Sequence, residues 1–294
     1  MRNENIDIVP YDNSYHDGVL SCLKRNFAKL SGMEYSNLSD WFRNIADCNW
    51  YKGDESYKNG YVLVDSNNVV GYCGVLISSI FDGGKNYKYA NVTTWGIDEE
   101  YRFHTFTVLT DLLDRVDIVS DFTPSPVVEK ISVRLYGFQK IEDRAYKFIY
   151  SSSEMSENTF VSISDFKDET QIHNDCLKRY YLDHIAYKCK GMTIRNKDGL
   201  ESYIMYYLPI SSPDWVNIIY VSNIDEFSKN IRCVLKWIYE LNGRNIICDS
   251  RFINQGCMDY TSYEVSDRCR LLYTKDTNIS IPGMLYSELP LLGY

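Results

Sequence analysis

Residues 95–113 read WGIDEEYRFHTFTVLTDLL. A β-branched, aromatic run ("YKYANVTTWGI", 87–97) ends here, an acidic corner follows, then Arg102, and from about Tyr101 the apolar positions Phe106, Leu109, Leu112 and Leu113 take helical spacing. The stretch therefore predicts a strand that turns at once into an amphipathic helix. The start of a helix leaves about four N–H donors open and carries roughly half a positive charge. An anion settles there, and Arg102 would add a charge-assisted contact. Corners that hold a pyrophosphate put glycines after the arginine, because a backbone without Cβ approaches the phosphate closely. Here Phe103, His104, Thr105, Phe106 and Thr107 stand in those places. Either the hydroxyls of Thr105 and Thr107 replace the close approach, or Arg102 pairs with Glu99 or Glu100 and the threonines merely cap a helix.

Outward from this corner, the first half alternates elements. "IDIVPY" reads as a strand, "SYHDGVLSCLKRNF" and "LSDWFRNIADCN" as helices, and "GYVLVDSNNVVGYCGVLISSIF" as two strands around the turn signal Asp65-Ser66-Asn67-Asn68. "VDIVSDFTP" is a strand stopped by Pro124, and "SPVVEKISVRLYGF" a helix with Ser125 as N-cap, Pro126 at its first position and Gly137 as C-cap. "KFIYSS" closes the half. The polar segment 151–158 predicts a linker between domains at 1–150 and 159–294. Beyond it come a helix ("DETQIHNDCLKRYYLDHIAYKC"), strands ("GMTIRN", "ESYIMYYLPI", "WVNIIYVSN"), one long helix ("IDEFSKNIRCVLKWIYEL") and the strand "RNIICDS". Both halves carry Ile-Asp-Glu opening a helix, at Ile97 and Ile224, and a strand ending in aspartate, Asp121 and Asp249. That shared order predicts a pseudo-tandem architecture.

The 294 residues suffice for one large or two ordinary domains. A formal charge of −9 argues against a general nucleic-acid binder, whose footprint is basic. No apolar run approaches the roughly 20 residues that cross a bilayer, and the first residues show no secretory signal, so the expected location is the cytoplasm. The nine cysteines are scattered without a C-x-x-C pair, which predicts reduced, partly buried thiols rather than disulfides or zinc. The 26 tyrosines read as amphipathic filler for cores and clefts.

At this point residues ~5–150 resemble the GNAT N-acetyltransferase superfamily, through the order of elements. The nearest likeness is to two-lobed GNAT-like proteins of bacterial surface-polysaccharide clusters. It rests on Trp95 to Arg102, Thr123-Pro124-Ser125, Leu135-Tyr136-Gly137-Phe138 and Asp183-His184…Cys189. The resemblance implies an α/β fold with a mixed sheet, a GNAT-like first lobe and a second, degenerate GNAT-like lobe. It implies acetyl-CoA or another acyl-CoA as co-substrate, its pyrophosphate at Arg102, Phe103, His104, Thr105, Phe106 and Thr107. Its thioester carbonyl would meet the backbone around Thr94, Trp95, Gly96 and Ile97, and its pantetheine arm the gap beside the splayed strand "DIVSDF". The family often places a tyrosine acid four residues before the glycine of Gly-Phe; Val133 stands there.

Acyl transfer to an amine needs a base, a polarised carbonyl and an acid for the leaving thiolate. His184, after Asp183, is a candidate acid/base facing the inter-lobe cleft, or a helix histidine satisfied locally. Thr123 and Ser125 are candidates beside the thioester, or a strand stop and a helix cap. His104 is a base or phosphate donor, or a capping histidine. Asp121 orients an amine or makes a turn, and Cys189 reads as a buried thiol. The expected function is an acyl-CoA-dependent N-acyltransferase acting on a small polar amine such as an amino-sugar, possible as a homodimer. The alternatives are a catalytically silent GNAT-like scaffold, or transfer from another donor such as aminoacyl-tRNA, which the acidic charge disfavours.

Overall fold

A computed structural model of the chain describes residues 6–53, 56, 57, 59–152, 161–166, 172, 174–258, 263–276, 279, 283 and 285–292. In chain order the elements are β1 (Asp7–Pro10), α1 (His16–Asn26), α2 (Ala28–Ser31), α3 (Tyr35–Ala46), β2 (Tyr61–Asp65), β3 (Asn68–Asp82), β4 (Lys85–Ile97), α4 (Thr105–Arg115), β5 (Ile118–Asp121), α5 (Pro126–Tyr136) and β6 (Gln139–Phe148). They continue with β7 (Val161–Asp165), α6 (Asp175–Ile185), β8 (Lys190–Asn196), β9 (Glu201–Tyr207), β10 (Trp215–Val221), α7 (Ile224–Lys229), α8 (Ile231–Asn242), β11 (Asn245–Asp249), β12 (Glu264–Thr274) and α9 (Glu288–Leu292). The result is the α/β mixed sheet expected from the sequence.

The chain forms two compact units, 1–139 with 271–280 and 286–292, and 140–270 with 281–285 and 293–294. The expected division at 150 and 159 is therefore displaced, and most of the expected linker lies outside the described residues. The last strand is the main difference. "KFIYSS" was expected to close the first half, yet from Lys140 onward β6 belongs to the second unit and runs antiparallel to β11 (Ala145↔Asp249). Residues Leu271–Thr274 of β12 take the place beside β5 instead (Leu271↔Asp121). Alternation of apolar residues tells that a segment is a strand; it carries no information about which edge the strand joins.

In the first unit β1–β4 form an antiparallel run, tightly turned at Ser66 and Asn67, both with positive φ (50° and 71°) as a two-residue hairpin requires. The helices α1 and α3 bury Val19, Leu20, Leu23, Leu38 and Phe42 with Val62 and Tyr72 of the sheet. β5 pairs with β4 in parallel, and α5 follows with the caps read from the sequence. Ser125 Oγ accepts from Val128 N at 3.3 Å, Pro126 opens the helix, and Gly137 ends it at φ 73°.

The second unit has the strand order β6-β11-β10-β9-β8-β7. The helix expected as one piece from Ile224 is two, α7 and α8, broken at Asn230. The Asn230 side chain donates to Glu226 O at 2.7 Å, satisfying the end of α7 locally in place of a continued helix. α8 buries Ile231, Val234, Leu235 and Ile238 along one face. No helix among the described residues is long and apolar enough to cross a membrane.

Candidate functional site

The parallel ladder between β4 and β5 is short. Tyr89↔Ile118, Ala90↔Val119 and Asn91↔Ser120 pair, and no further pair follows among the described residues. Past Asn91, β4 runs on for six residues to Ile97 while β5 ends at Asp121. The two strands thus open into a fork. Buried polar groups fix its base: Asn91 Nδ2 donates to Ser120 Oγ at 2.9 Å, and the Tyr89 hydroxyl bonds Ser120 Oγ. Asn91 Oδ1 accepts from the backbone N–H of Glu288 at 3.0 Å, so α9 begins against the fork.

Inside the fork β4 bulges. The register with β3 runs Tyr72↔Gly96 and then Gly74↔Thr93, leaving Thr94 and Trp95 opposite Cys73. Thr94 sits at φ 52°, a left-handed conformation uncommon for a threonine. Trp95 Nε1 donates to Gly74 O at 2.9 Å, which pins the bulge, and a Cβ on Gly74 would lie 2.5 Å from Thr93 O. Only glycine permits that approach. A bulge interrupts the ladder and leaves the extra residue of the strand outside its pairing. This is where the sequence placed the carbonyl-polarising backbone of Thr94, Trp95, Gly96 and Ile97.

The corner beyond it differs from the expected anion cradle. Glu99–His104 is a 3-10 turn that feeds straight into α4, and Thr105 N donates back to the carbonyls of Arg102 and Phe103. Tyr101 N likewise donates to Asp98 O at 2.9 Å. Because the turn already uses the Thr105 donor, the start of α4 offers fewer open N–H groups than a helix that begins without a preceding turn. The open donors move upstream to Glu99 and Glu100, whose own carboxylates repel an anion. Arg102 is exposed and its Nε donates to Ile97 O at 3.3 Å, rather than to Glu99 or Glu100. The Thr105 hydroxyl donates to Arg102 O at 2.6 Å, and Thr107 is exposed. Phe103 and Phe106 stand 40% and 41% exposed where glycines would leave room. Phe106 stacks on Tyr136. His104 packs against the Phe103 ring, and burial lowers its pKa.

The remaining sequence candidates separate. Ser125 serves as the α5 cap. Thr123 lies exposed just past β5; its N–H donates to Asp121 Oδ1 at 3.1 Å and its hydroxyl to Glu288 Oε1 at 2.8 Å. Asp121 is thus a turn former. His184 does not serve as the acid/base: it is fully buried in the second unit, Nδ1 lies 2.7 Å from Tyr180 O, and burial lowers its pKa to about 4. A neutral histidine without solvent-exposed surface does not exchange protons with a substrate. Burial likewise raises the thiol of Cys189, which excludes a thiolate nucleophile there. Val133, at the family's tyrosine position, is 41% exposed on α5. Sequence reasoning missed Glu288, fully buried 165 residues after Thr123, because no local pattern announces so distant a contact.

No family model matches this sequence, and no curated protein matches it. Solved structures do match in shape. A GCN5-related N-acetyltransferase from Anabaena variabilis superposes with a TM-score of 0.60 at 12% identity, covering 91% of this chain and 72% of that one. One from Kribbella flavida gives 0.55 at 11%, covering 92% and 71%. A structure from Pyrococcus horikoshii, 10% identical with a TM-score of 0.57, matches over 97% of this chain and 96% of that one. The chain has the GNAT fold. At such identities the likeness concerns the path of the backbone.

The second unit also holds a parallel strand pair and a bulged strand. β10 and β11 pair in parallel over three positions ending at Asn217↔Ile247, and β10 bulges between Ile218 and Tyr220. Here, however, Gly283 lies on the bulge: a Cβ on it would come 2.2 Å from Ile219 O.

Proposed function

We propose that the chain is an acyltransferase that takes its acyl group from acyl-CoA at the β4–β5 fork of the first unit. The observation that carries this reading is the coincidence of two features on one strand: the ladder that ends at Asn91↔Ser120 and the left-handed bulge at Thr94. An acyl-CoA supplies an activated thioester carbonyl. The diverged edge of β4 receives an extended amide-bearing arm as a strand receives its neighbour. The bulged backbone directs N–H donors at a carbonyl oxygen in a site that needs no rearrangement to do so. The second unit reads as a degenerate GNAT-like lobe, since Gly283 covers its bulge. The acceptor we assign is a small polar amine such as an amino-sugar. A surface cavity of about 510 Å³ lined by Tyr11, Asn13, His16, Asp17, Arg43, Ala46 and Asp47 shares no residue with β4 or β5 and has no part in this reading.

The fit is unequal along the donor. The fork suits the thioester end, whereas the corner retains only the Arg102 guanidinium for the pyrophosphate. The closed corner and Val133 favour a second reading, a silent GNAT-fold scaffold. Thermal unfolding separates the two. Acetyl-CoA at about a hundred times its Kd stabilises by about 2.7 kcal/mol, which raises the Tm by about 4–10 °C for a chain of this size. Arg102→Glu is expected to remove most of that shift. No shift with acetyl-CoA or longer acyl-CoAs would leave the scaffold reading standing.

A further inference from the structure

Glu288 is the one candidate at the fork that neither the corner nor the bulge explains. Its carboxyl is fully buried, yet it meets a residue that is not: the exposed Thr123, whose hydroxyl donates to Glu288 Oε1 at 2.8 Å. Both residues are fixed. Glu288 is anchored through its own N–H to Asn91 Oδ1 at 3.0 Å, at the last residue of β4 that pairs with β5. Thr123 is held through its N–H by Asp121 at the end of β5. One hydroxyl therefore stands at the mouth of the fork with a carboxylate behind it, and the two strands that diverge there hold one partner each. A threonine hydroxyl alone is a poor proton acceptor. Backed by a carboxylate that takes its proton, it becomes a competent one.

We infer that Thr123 is the catalytic hydroxyl of this site and that Glu288 acts through it as the proton acceptor, an assignment that rests on the acyl-transfer reading above. As the acceptor nitrogen bonds to the acyl carbon, its proton passes to Thr123 Oγ while Thr123 Oγ–H passes to Glu288 Oε1. The C–S bond breaks, and the electron pair leaves with the thiolate. The Glu288 proton then returns through the exposed Thr123 hydroxyl to solvent, and solvent protonates the thiolate, so the net change is amine and thioester to amide and thiol. With water in place of the amine the same transfers give slow thioester hydrolysis.

The test uses the full chain and acetyl-CoA, with and without glucosamine, following thiol release. Calorimetry on the unsubstituted protein comes first: failure to bind acetyl-CoA overturns the acyl-transfer reading, and this assignment with it. Where it binds, Glu288→Gln keeps the hydrogen bond from Thr123 and loses the proton acceptor. It is expected to lower kcat by about 100-fold, within the range typical of general-base catalysis, with KM for acetyl-CoA little changed. Thr123→Val is expected to match that loss, and Thr123→Ser to restore kcat to within about tenfold of the unsubstituted chain. Because the two residues act as one unit, the double variant is expected to be no slower than either single one. Thiol release by Glu288→Gln within about threefold of the unsubstituted rate, in both the amine and the water reaction, overturns the assignment while the acyl-transfer reading stands. So do losses that multiply in the double variant.

Discussion

Asn91→Leu is expected to lower the folding stability by about 1.5–4.5 kcal/mol and to abolish acetyl-CoA binding. Leucine keeps the branching and the heavy-atom count of asparagine and removes both hydrogen-bonding groups. Asn91 is fully buried and joins three pieces of the fork: β4 itself, Ser120 of β5 and the start of α9. The substitution leaves the Glu288 N–H without its acceptor and Ser120 without one of its donors. The Glu288 N–H left unpaired costs about 1–3 kcal/mol, and the lost bond to Ser120, which keeps its bond to Tyr89, about 0.5–1.5 kcal/mol. Urea unfolding checks it, with a reduced midpoint at unchanged m-value. A cost below about 1 kcal/mol would contradict the role given to Asn91 as the base of the fork.

The second large effect lies in the other unit. Asp249 is fully buried, and Arg268 Nη1 approaches its Oδ1 at 2.9 Å while Arg270 Nε and Arg251 Nη2 approach Oδ2 at 3.5 Å each. Burial alone would raise this carboxyl's pKa, but the guanidiniums of Arg270, Arg251 and Arg268 together outweigh burial and hold it below its ordinary value. Asp249→Asn removes the charge that those three arginines surround, and breaking a buried ion pair from one side costs about 3–5 kcal/mol. The pH dependence follows from the direction of the shift. The stabilisation is fully present above the unfolded carboxyl's ordinary pKa and is lost as pH falls through the lower, folded one. The asparagine variant is accordingly expected to be less stable at pH 7 and to lose less on acidification. Equal stability at pH 7 by denaturant unfolding would show that the cluster contributes nothing net.

Much of the fold was legible in the sequence because its signals are local. Ser125-Pro126 and Gly137 bound α5 by capping chemistry, and Asp65–Asn68 turns a hairpin whose two central residues adopt positive φ. The run 87–97 announced β4 by composition. The exchange of the closing strand was not legible: β6 and the end of β12 both form strands, and which joins β5 is decided by packing across more than a hundred residues of chain.

The site divided along the same line. Thr94 and Trp95 could be placed by their position in the strand, although the bulge itself is a property of the register with β3. The corner misled because its residue order suits two backbones. Charged residues at 99–102 start a 3-10 turn as readily as they precede a helix N-terminus, and the turn consumes donors that an anion would need. His184 misled because a polar residue in an amphipathic helix carries no mark of which face it occupies. Glu288 was silent because its partner is far away in the chain.

The central claim is that an acyl thioester lies in the fork beside the bulge of β4. A crystal structure of the chain with acetyl-CoA tests it most directly. The account predicts the thioester oxygen about 3 Å from a backbone N–H between Val92 and Gly96, the pantetheine arm between β4 and β5, and the pyrophosphate beside Arg102. Acetyl-CoA bound anywhere else, with the fork empty at saturating ligand, would contradict it.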